Sequence, residues 1–250
     1  MFKTFISYII KKFIIFFRLS LIKFGINLNF SSDGEDSILH KWLGGINKGF
    51  YVDIGSHKPF YSSNTFGFYL NDWSGICIDP NPGLKLKYLL LRSSDIFLNS
   101  ALVLKKNKEI SLFYYYKNNT DLNTFSKKRV AIQQKLYGRY PTKKVKVNQI
   151  TIQSLIKLIS KKEIHFLNID IEGLEDGIIK SLLKKKIFPW CIAIEELGKT
   201  CENINKSEIK KFLNKKGYFL ASRTFLTSIY IKKDILKNLP SKYVRELQLS

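Results

Sequence analysis

The runs GFYVDIG (residues 49–55) and SGICIDP (74–80) are both rich in strand-forming residues, and both close on an Asp and a turn. Between them lies SSNTFGFYLNDW, and after the second comes PGLKLKYLLLRS, each with apolar residues at helical spacing. Strands alternating with helices at this interval predict βαβ units, hence a mostly parallel sheet covered by helices on both faces.

The alternation continues downstream. DIFLNSALV reads as a third strand and KEISLFYYYK as a fourth, antiparallel or exposed. TIQSLIKLI reads as a helix, IHFLNIDIEG as a strand, LEDGIIKSLLKKK as a helix and PWCIAIEEL as a strand. KSEIKKFLNKKGY is a helix closed by Gly217, and YFLASRTFLTSIYIKKD is a closing hairpin. Upstream, SSDGEDSILHKWL places Ser32 and Glu35 at capping-box spacing, which predicts a helix start there. Residues 118–148 break the rhythm. They are polar, basic and too long for an ordinary loop, so a lid or substrate-facing insertion is expected. The expected organisation is an amphipathic N-terminal helix over 1–29, then one α/β domain over 30–250 with that insertion.

A chain of 250 residues, 45% hydrophobic and 14% aromatic, can bury a full core and is not a disordered polymer. A net charge of +22 invites nucleic acid as a partner. Against that, Lys, Ile and Asn are abundant together along the whole chain and the basic runs are short, so a solvated basic face is favoured over a phosphate-bearing partner. Cys77, Cys191 and Cys201 lack metal or CxxC spacing and are expected as buried reduced thiols in a reducing, cytoplasmic compartment. In MFKTFISYIIKKFIIFFRLSLIKFG, Lys11, Lys12, Arg18 and Lys23 interrupt any membrane span, and no cleavage site follows. On a helix, Phe2, Phe5, Ile6, Ile9, Phe13, Phe16, Phe17 and Phe24 share one face, with the basic residues on the other. Two readings stay open: a helix lying on the inner face of an anionic membrane, or one packed on the domain or on another subunit.

Open α/β sheets bind ligands beyond the carboxyl ends of their strands. Those ends here hold Asp53, Gly55 and His57, then Asp79, then Asn99 and Ser100, then Asp170 and Glu172, and last Glu195 and Glu196. Asp79 follows Asp53 by about 26 residues, close to the roughly 20-residue spacing at which a second-strand acid meets ribose hydroxyls. A carboxylate suits a vicinal diol, one oxygen for each hydroxyl. The glycine turn lets backbone approach such a ligand closely. A dinucleotide would call for G-x-G-x-x-G, whereas Gly55 is followed by Ser56, His57, Lys58 and Pro59. A nucleoside bearing an amino acid, S-adenosylmethionine, fits better.

YVDIGSHKP, SSNTFGFYLNDWSGICIDPNP, LNTFS and LNIDIEGLEDGIIKSL followed by IAIEE resemble the FkbM-type methyltransferases, over roughly Phe30 to Asp234. The motifs are specific because they occur together and in order. The resemblance implies a Rossmann-like class I methyltransferase: seven strands, helices on both faces and an antiparallel last strand. It also implies S-adenosylmethionine as cofactor. Asp53, Gly55 and Ser56 would line its methionine end, with His57, Asn64 and Thr65 among the contacts. Asp79 and Pro80 would hold the ribose, and Asn81 with the Asn99-Ser100-Ala101 turn would flank the adenine. Asp170 would sit beside the reacting methyl, and Glu172 and Glu195 would face the acceptor. The turn departs from the family pattern, with Ser56-His57-Lys58-Pro59 in place of a second glycine.

Methyl transfer from a sulfonium is an in-line displacement that positioning alone accelerates. A hydroxyl acceptor must also lose a proton, to a base or beside a metal. Asp170, Glu172, Glu195 and His57 are the candidates. Crowded carboxylates raise one another's pKa values, and the same cluster is suited to a divalent cation. Base catalysis, a cation and pure positioning stay open. The resemblance implies a sugar hydroxyl in a surface glycan or its precursor as acceptor, and the basic stretch from Lys127 to Lys146 suits a phosphate-bearing one. RNA modification and a noncatalytic cofactor-binding subunit are the alternatives. DPNP is similar to the tetrad of amino-methylating nucleic-acid enzymes but lies on the wrong strand and lacks the aromatic fourth residue. His40 and His165 read as structural, Glu35 and Asp36 as caps or cofactor contacts, and Glu196 as facing away from Glu195.

Overall fold

The computed structural model describes residues 2–106, 112–159, 161–171, 173–196 and 198–239. Its helices are α1 (Phe2–Lys23), α2 (Glu35–Leu43), α3 (Phe66–Leu70), α4 (Leu84–Leu91), α5 (Lys127–Tyr137), α6 (Ile152–Ile159), α7 (Glu175–Lys184), α8 (Cys201–Lys206) and α9 (Glu208–Lys215). Its strands are β1 (Phe50–Ile54), β2 (Ser74–Ile78), β3 (Ile96–Leu98), β4 (Ala101–Val103), β5 (Leu112–Tyr115), β6 (Lys143–Lys146), β7 (Gln149–Thr151), β8 (Phe166–Ile169), β9 (Cys191–Glu195), β10 (Tyr218–Arg223) and β11 (Thr227–Lys232).

Seven strands form the main sheet, in the order β10-β11-β9-β8-β1-β2-β3. The pairs from β9 to β3 are parallel, and β11 is antiparallel to both β9 and β10. This is the arrangement that the resemblance implied. The sheet sorts its residues by parity, because side chains alternate across a strand. Val52, Ile54, Ile76, Ile78, Leu167 and Ile169 face one core with α6, α7 and α9. Tyr51, Cys77, Phe166, Cys191 and Ile231 face the other, with α2, α3 and α4.

Several expectations change. DIFLNSALV is not one strand: it bends at Asn99–Ser100, and β4 leaves the main sheet to pair in parallel with β7. The bend is held by Asn99, whose side-chain amide donates to the carbonyls of Asp79 and Asn81, both at 2.8 Å. KEISLFYYYK supplies β5, antiparallel to β6 from the 118–148 stretch. No capping box forms at Ser32 and Glu35. Gly34 at φ 80° is the residue before α2, and no side chain caps that helix. Asp36 takes the nearby donors instead, accepting from the Phe30 amide at 2.7 Å and the Ser31 hydroxyl at 2.8 Å. Glu35 accepts from the Thr224 hydroxyl at 2.7 Å, tying α2 to the closing hairpin. Both acids are therefore engaged as structural ties. Cys77 and Cys191 are buried free thiols, but Cys201 is exposed.

The N-terminal helix packs on the domain. Ser7 on α1 is fully buried, and its hydroxyl accepts from the Ser93 amide at 3.3 Å. Among the described residues no helix is long and apolar enough to cross a membrane.

Candidate active site

A cavity of about 580 Å³ opens at the carboxyl ends of β1, β2 and β8, within the roughly 300–1,000 Å³ usual for ligand sites. Gly55, His57, Asp79, Pro80, Asn81, Ser100, Ala101, Asp170 and Glu195 all lie on its wall. Residues that the sequence places far apart are thus gathered at one end of the sheet.

Gly55 makes the wall possible. At φ +83° it adopts backbone that side chains disfavour, and a Cβ there would lie 1.8 Å from the Asp170 carbonyl oxygen. The turn continues through His57, which also has positive φ, 42°. This conformation aims the His57 amide at Asp79, which accepts at 2.9 Å, while the Asn81 amide donates to the other oxygen at 2.7 Å. Each oxygen keeps a lone pair for a further donor. Burial pushes the Asp79 carboxyl up to about 6, against the lowering effect of those two amides.

Asp53 stands behind the wall rather than on it. The parity of β1 turns its side chain into the second core, next to Asn168 at the paired position of β8. Thr65 donates to one oxygen at 2.5 Å and Asn168 to the other at 2.9 Å. Asn64 donates in turn to Asn168 at 2.9 Å. Burial raises the Asp53 pKa, partly countered by the Arg92 charge and these two hydrogen bonds. The SNT segment therefore braces β1 against β8. Asn99 likewise stands behind the wall as the tie already described. Ser56 is buried, and its hydroxyl has no partner among the described residues.

Arg92 organises this layer and was not singled out from the sequence. Its side chain is fully buried and pairs with Asp95 at 2.6 Å. It also donates to the Tyr51 hydroxyl at 2.7 Å, to Thr65 at 3.0 Å and to the Pro59 carbonyl at 3.3 Å. A buried guanidinium is tolerable only with its donors occupied, and here they hold the Pro59 turn and the SNT segment.

One side of the cavity is acidic. Asp170 opens onto the cavity at the end of β8, and Glu195 at the end of β9 lines the same wall. Burial, then the neighbouring Glu195 carboxylate, raise the Asp170 pKa well above the usual carboxylate range, while Arg129 works against the shift. Glu172 lies outside the described residues. Glu196 does not line the cavity; it is buried and pairs with Lys199 at 2.9 Å.

His57 is less free than the sequence implies. Its Nδ1 faces Asp121 at 3.2 Å and its Nε2 faces the Thr120 hydroxyl at 3.1 Å. Burial lowers its pKa against the raising effect of Asp121. Both ring nitrogens are committed, so His57 clasps the β1 turn to the 118–148 stretch. That stretch supplies much of the wall, including Asn123, Phe125 and Ser126 of the LNTFS motif and Arg129 of the basic stretch, for which no individual roles were legible in the sequence. Asn123 donates to the side chain of Asn81, joining it to the β2 turn.

Residues 53–220 match the methyltransferase FkbM domain. The chain belongs to the FkbM methyltransferase family. No curated protein matches it significantly. Membership makes this an S-adenosylmethionine-dependent methyltransferase of class I fold, as the motifs implied. Two features of the FkbM site fit that cofactor: a buried carboxylate with lone pairs to spare at the end of β2, and the unmet hydroxyl of Ser56 beside the β1 turn. Among the described residues no group of three or more His, Cys, Asp or Glu side chains is placed to hold a metal ion, and Glu172, one of the acids named for a cation, lies outside them.

Proposed function

We propose that this FkbM methyltransferase methylates a hydroxyl, that of a sugar in a surface glycan or its precursor. The observation that carries the reading is that two neighbouring carboxyls, Asp170 and Glu195, share the cavity wall. Burial and the neighbouring Glu195 raise the Asp170 pKa, so its carboxylate, once ionised, is a stronger base than an ordinary one. Such a pair is a base matched to a hydroxyl, which is far too weak an acid to ionise unaided.

S-adenosylmethionine, when bound, supplies a methyl group activated by its sulfonium charge. Asp79 would accept from ribose hydroxyls, and Ser100, Ala101 and Leu102 would border the adenine. The acceptor hydroxyl would donate to the ionised Asp170–Glu195 pair, which would aim an oxygen lone pair along the line of displacement and take the hydroxyl proton as the oxygen is methylated. Tyr61, Phe113 and Phe125 give the cavity aromatic faces against which a sugar ring can pack. Arg129 on the wall, with Lys127 and Lys128 beside it on α5, suits an acceptor that bears phosphate.

The test is to incubate the protein and labelled S-adenosylmethionine with lipid-linked, nucleotide-linked and free saccharides, and with RNA. Label in a saccharide, stable to base as an ether is, is expected. Label in RNA alone would overturn the reading.

A further inference from the structure

We infer that α1 is a membrane-docking element that lays its outward face on an anionic lipid bilayer, with the catalytic domain clasped to its other side. This goes beyond the methyl-transfer reading and stands without it.

The helix is docked the unexpected way round. Its inward stripe is Ser7, Lys11, Ile14 and Arg18, at helical spacing. Lys11 pairs with Asp72 at 2.8 Å and lies over the Tyr69 ring, 4.6 Å from its centre. The Arg18 guanidinium lies 5.7 Å from the centre of the Phe30 ring. Two of the basic residues are therefore spent on the domain. The outward stripe holds Phe5, Ile9, Phe13 and Phe16, of which Phe13 is 68% and Phe16 70% exposed. A helix that only packed on the domain would bury that stripe and expose the basic one.

An uncovered aromatic row of this length, about 16 Å at ~1.5 Å per residue, marks an interaction surface. Its chemistry selects lipid. The stripe offers mainly rings and aliphatic chains, bordered by the exposed Tyr8, and Ser20 is turned back onto the Phe16 carbonyl at 3.0 Å. Lys12 and Lys23 flank it, and the helix contains no Asp or Glu. A second copy of the chain would bring a like charge of +22 against it, whereas an anionic bilayer complements that charge. The helix cannot cross the bilayer, so it lies in the interface with its rings among the acyl chains, as amphipathic surface helices do.

The experiment is sedimentation of the full chain with vesicles of phosphatidylglycerol and phosphatidylcholine, compared with phosphatidylcholine alone. Binding is expected to the mixed vesicles, weakening with added salt. Phe13→Asp with Phe16→Asp should weaken it at least about tenfold and leave the unfolding midpoint nearly unchanged, because both rings point away from the domain. Lys11→Ala should do the reverse, lowering the midpoint while binding persists. Phe13→Trp supplies a second readout, with emission shifting to the blue and quenched by brominated lipid. The inference is overturned if wild type ignores anionic vesicles, if the double aspartate variant binds as wild type does, or if that variant dissolves a dimer seen by ultracentrifugation without lipid.

Discussion

The Cα of Gly55 and the carbonyl oxygen of Asp170 approach so closely that a Cβ on the glycine would stand 1.8 Å from the oxygen. The β1 turn and the strand end that bears Asp170, both on the cavity wall, are thus in backbone contact. Neither can shift without the other.

Gly55→Ala must move that backbone and hold alanine at positive φ. The expected result is a fall in unfolding midpoint of at least about 5 °C by calorimetry, since ~1 kcal/mol is worth about 2–4 °C in a chain of this size. Gly83 has nearly the same φ, +81°, with nothing within 4 Å of its would-be Cβ. Gly83→Ala should therefore cost only the backbone strain of about 1–2 kcal/mol, and a fall equal to that of Gly55→Ala would refute the contact.

Asp79→Ala should weaken S-adenosylmethionine binding by more than about tenfold, or ~1.4 kcal/mol. The ionised carboxyl is the acceptor, and in the free protein it titrates at about 6. Affinity in the wild type should therefore rise with pH through about 6 and flatten above it, because below that pH a proton must leave before the ribose is held. Calorimetry at several pH values should show this limb in wild type and its loss in Asp79→Ala.

Asp170→Asn and Glu195→Gln should each lower turnover by about 10²-fold or more, the usual worth of a positioned base, with cofactor affinity nearly unchanged. The double variant should be little worse than either single one, since the two carboxyls act as a unit. The Asp170 pKa is raised and the ionised pair is the active form, so the wild-type rate should climb with rising pH. A variant that keeps both its rate and that limb would exclude the residue as a base.

Arg92→Met strands Asp95 among Tyr51, the Gly75 amide and Cys77. Removing one partner of a buried pair costs about 3–5 kcal/mol. Arg92→Met with Asp95→Asn should be less unstable than the sum of the two single variants in urea unfolding. Strict additivity would mean the pair is not coupled.

The sheet was legible because β1, β2, β8 and β9 are unbroken apolar runs that close on acids, and only parallel strands buried on both faces read that way. The mistaken details have a common cause in donors and acceptors that no periodicity reports. Ser32 and Glu35 have capping-box spacing, yet Gly34 turns the chain and Asp36 captures the donors. Asp53 sits at a strand end like Asp79, but it precedes Ile54 and so faces sideways into the core, whereas Asp79 lies just past the strand and borders the cavity. Arg92 looks like any basic residue at a helix end; only Asp95 three positions on hints that its charge is neutralised inside. The face of α1 was legible and its direction was not, because the domain offered Asp72 to Lys11.

The main sheet also sets a timetable. Glu195 pairs with Thr227 across β9 and β11, so one edge of β9 stays unmatched until the hairpin strand arrives. On a ribosome, where β1 to β8 emerge first, cofactor-side elements can settle while the base-bearing edge still waits for its neighbour. An emerging chain would bare one edge of β1 until β8 is made and one edge of β9 until β11 is made, so chaperones that guard strand edges would have their longest interval of work at β1.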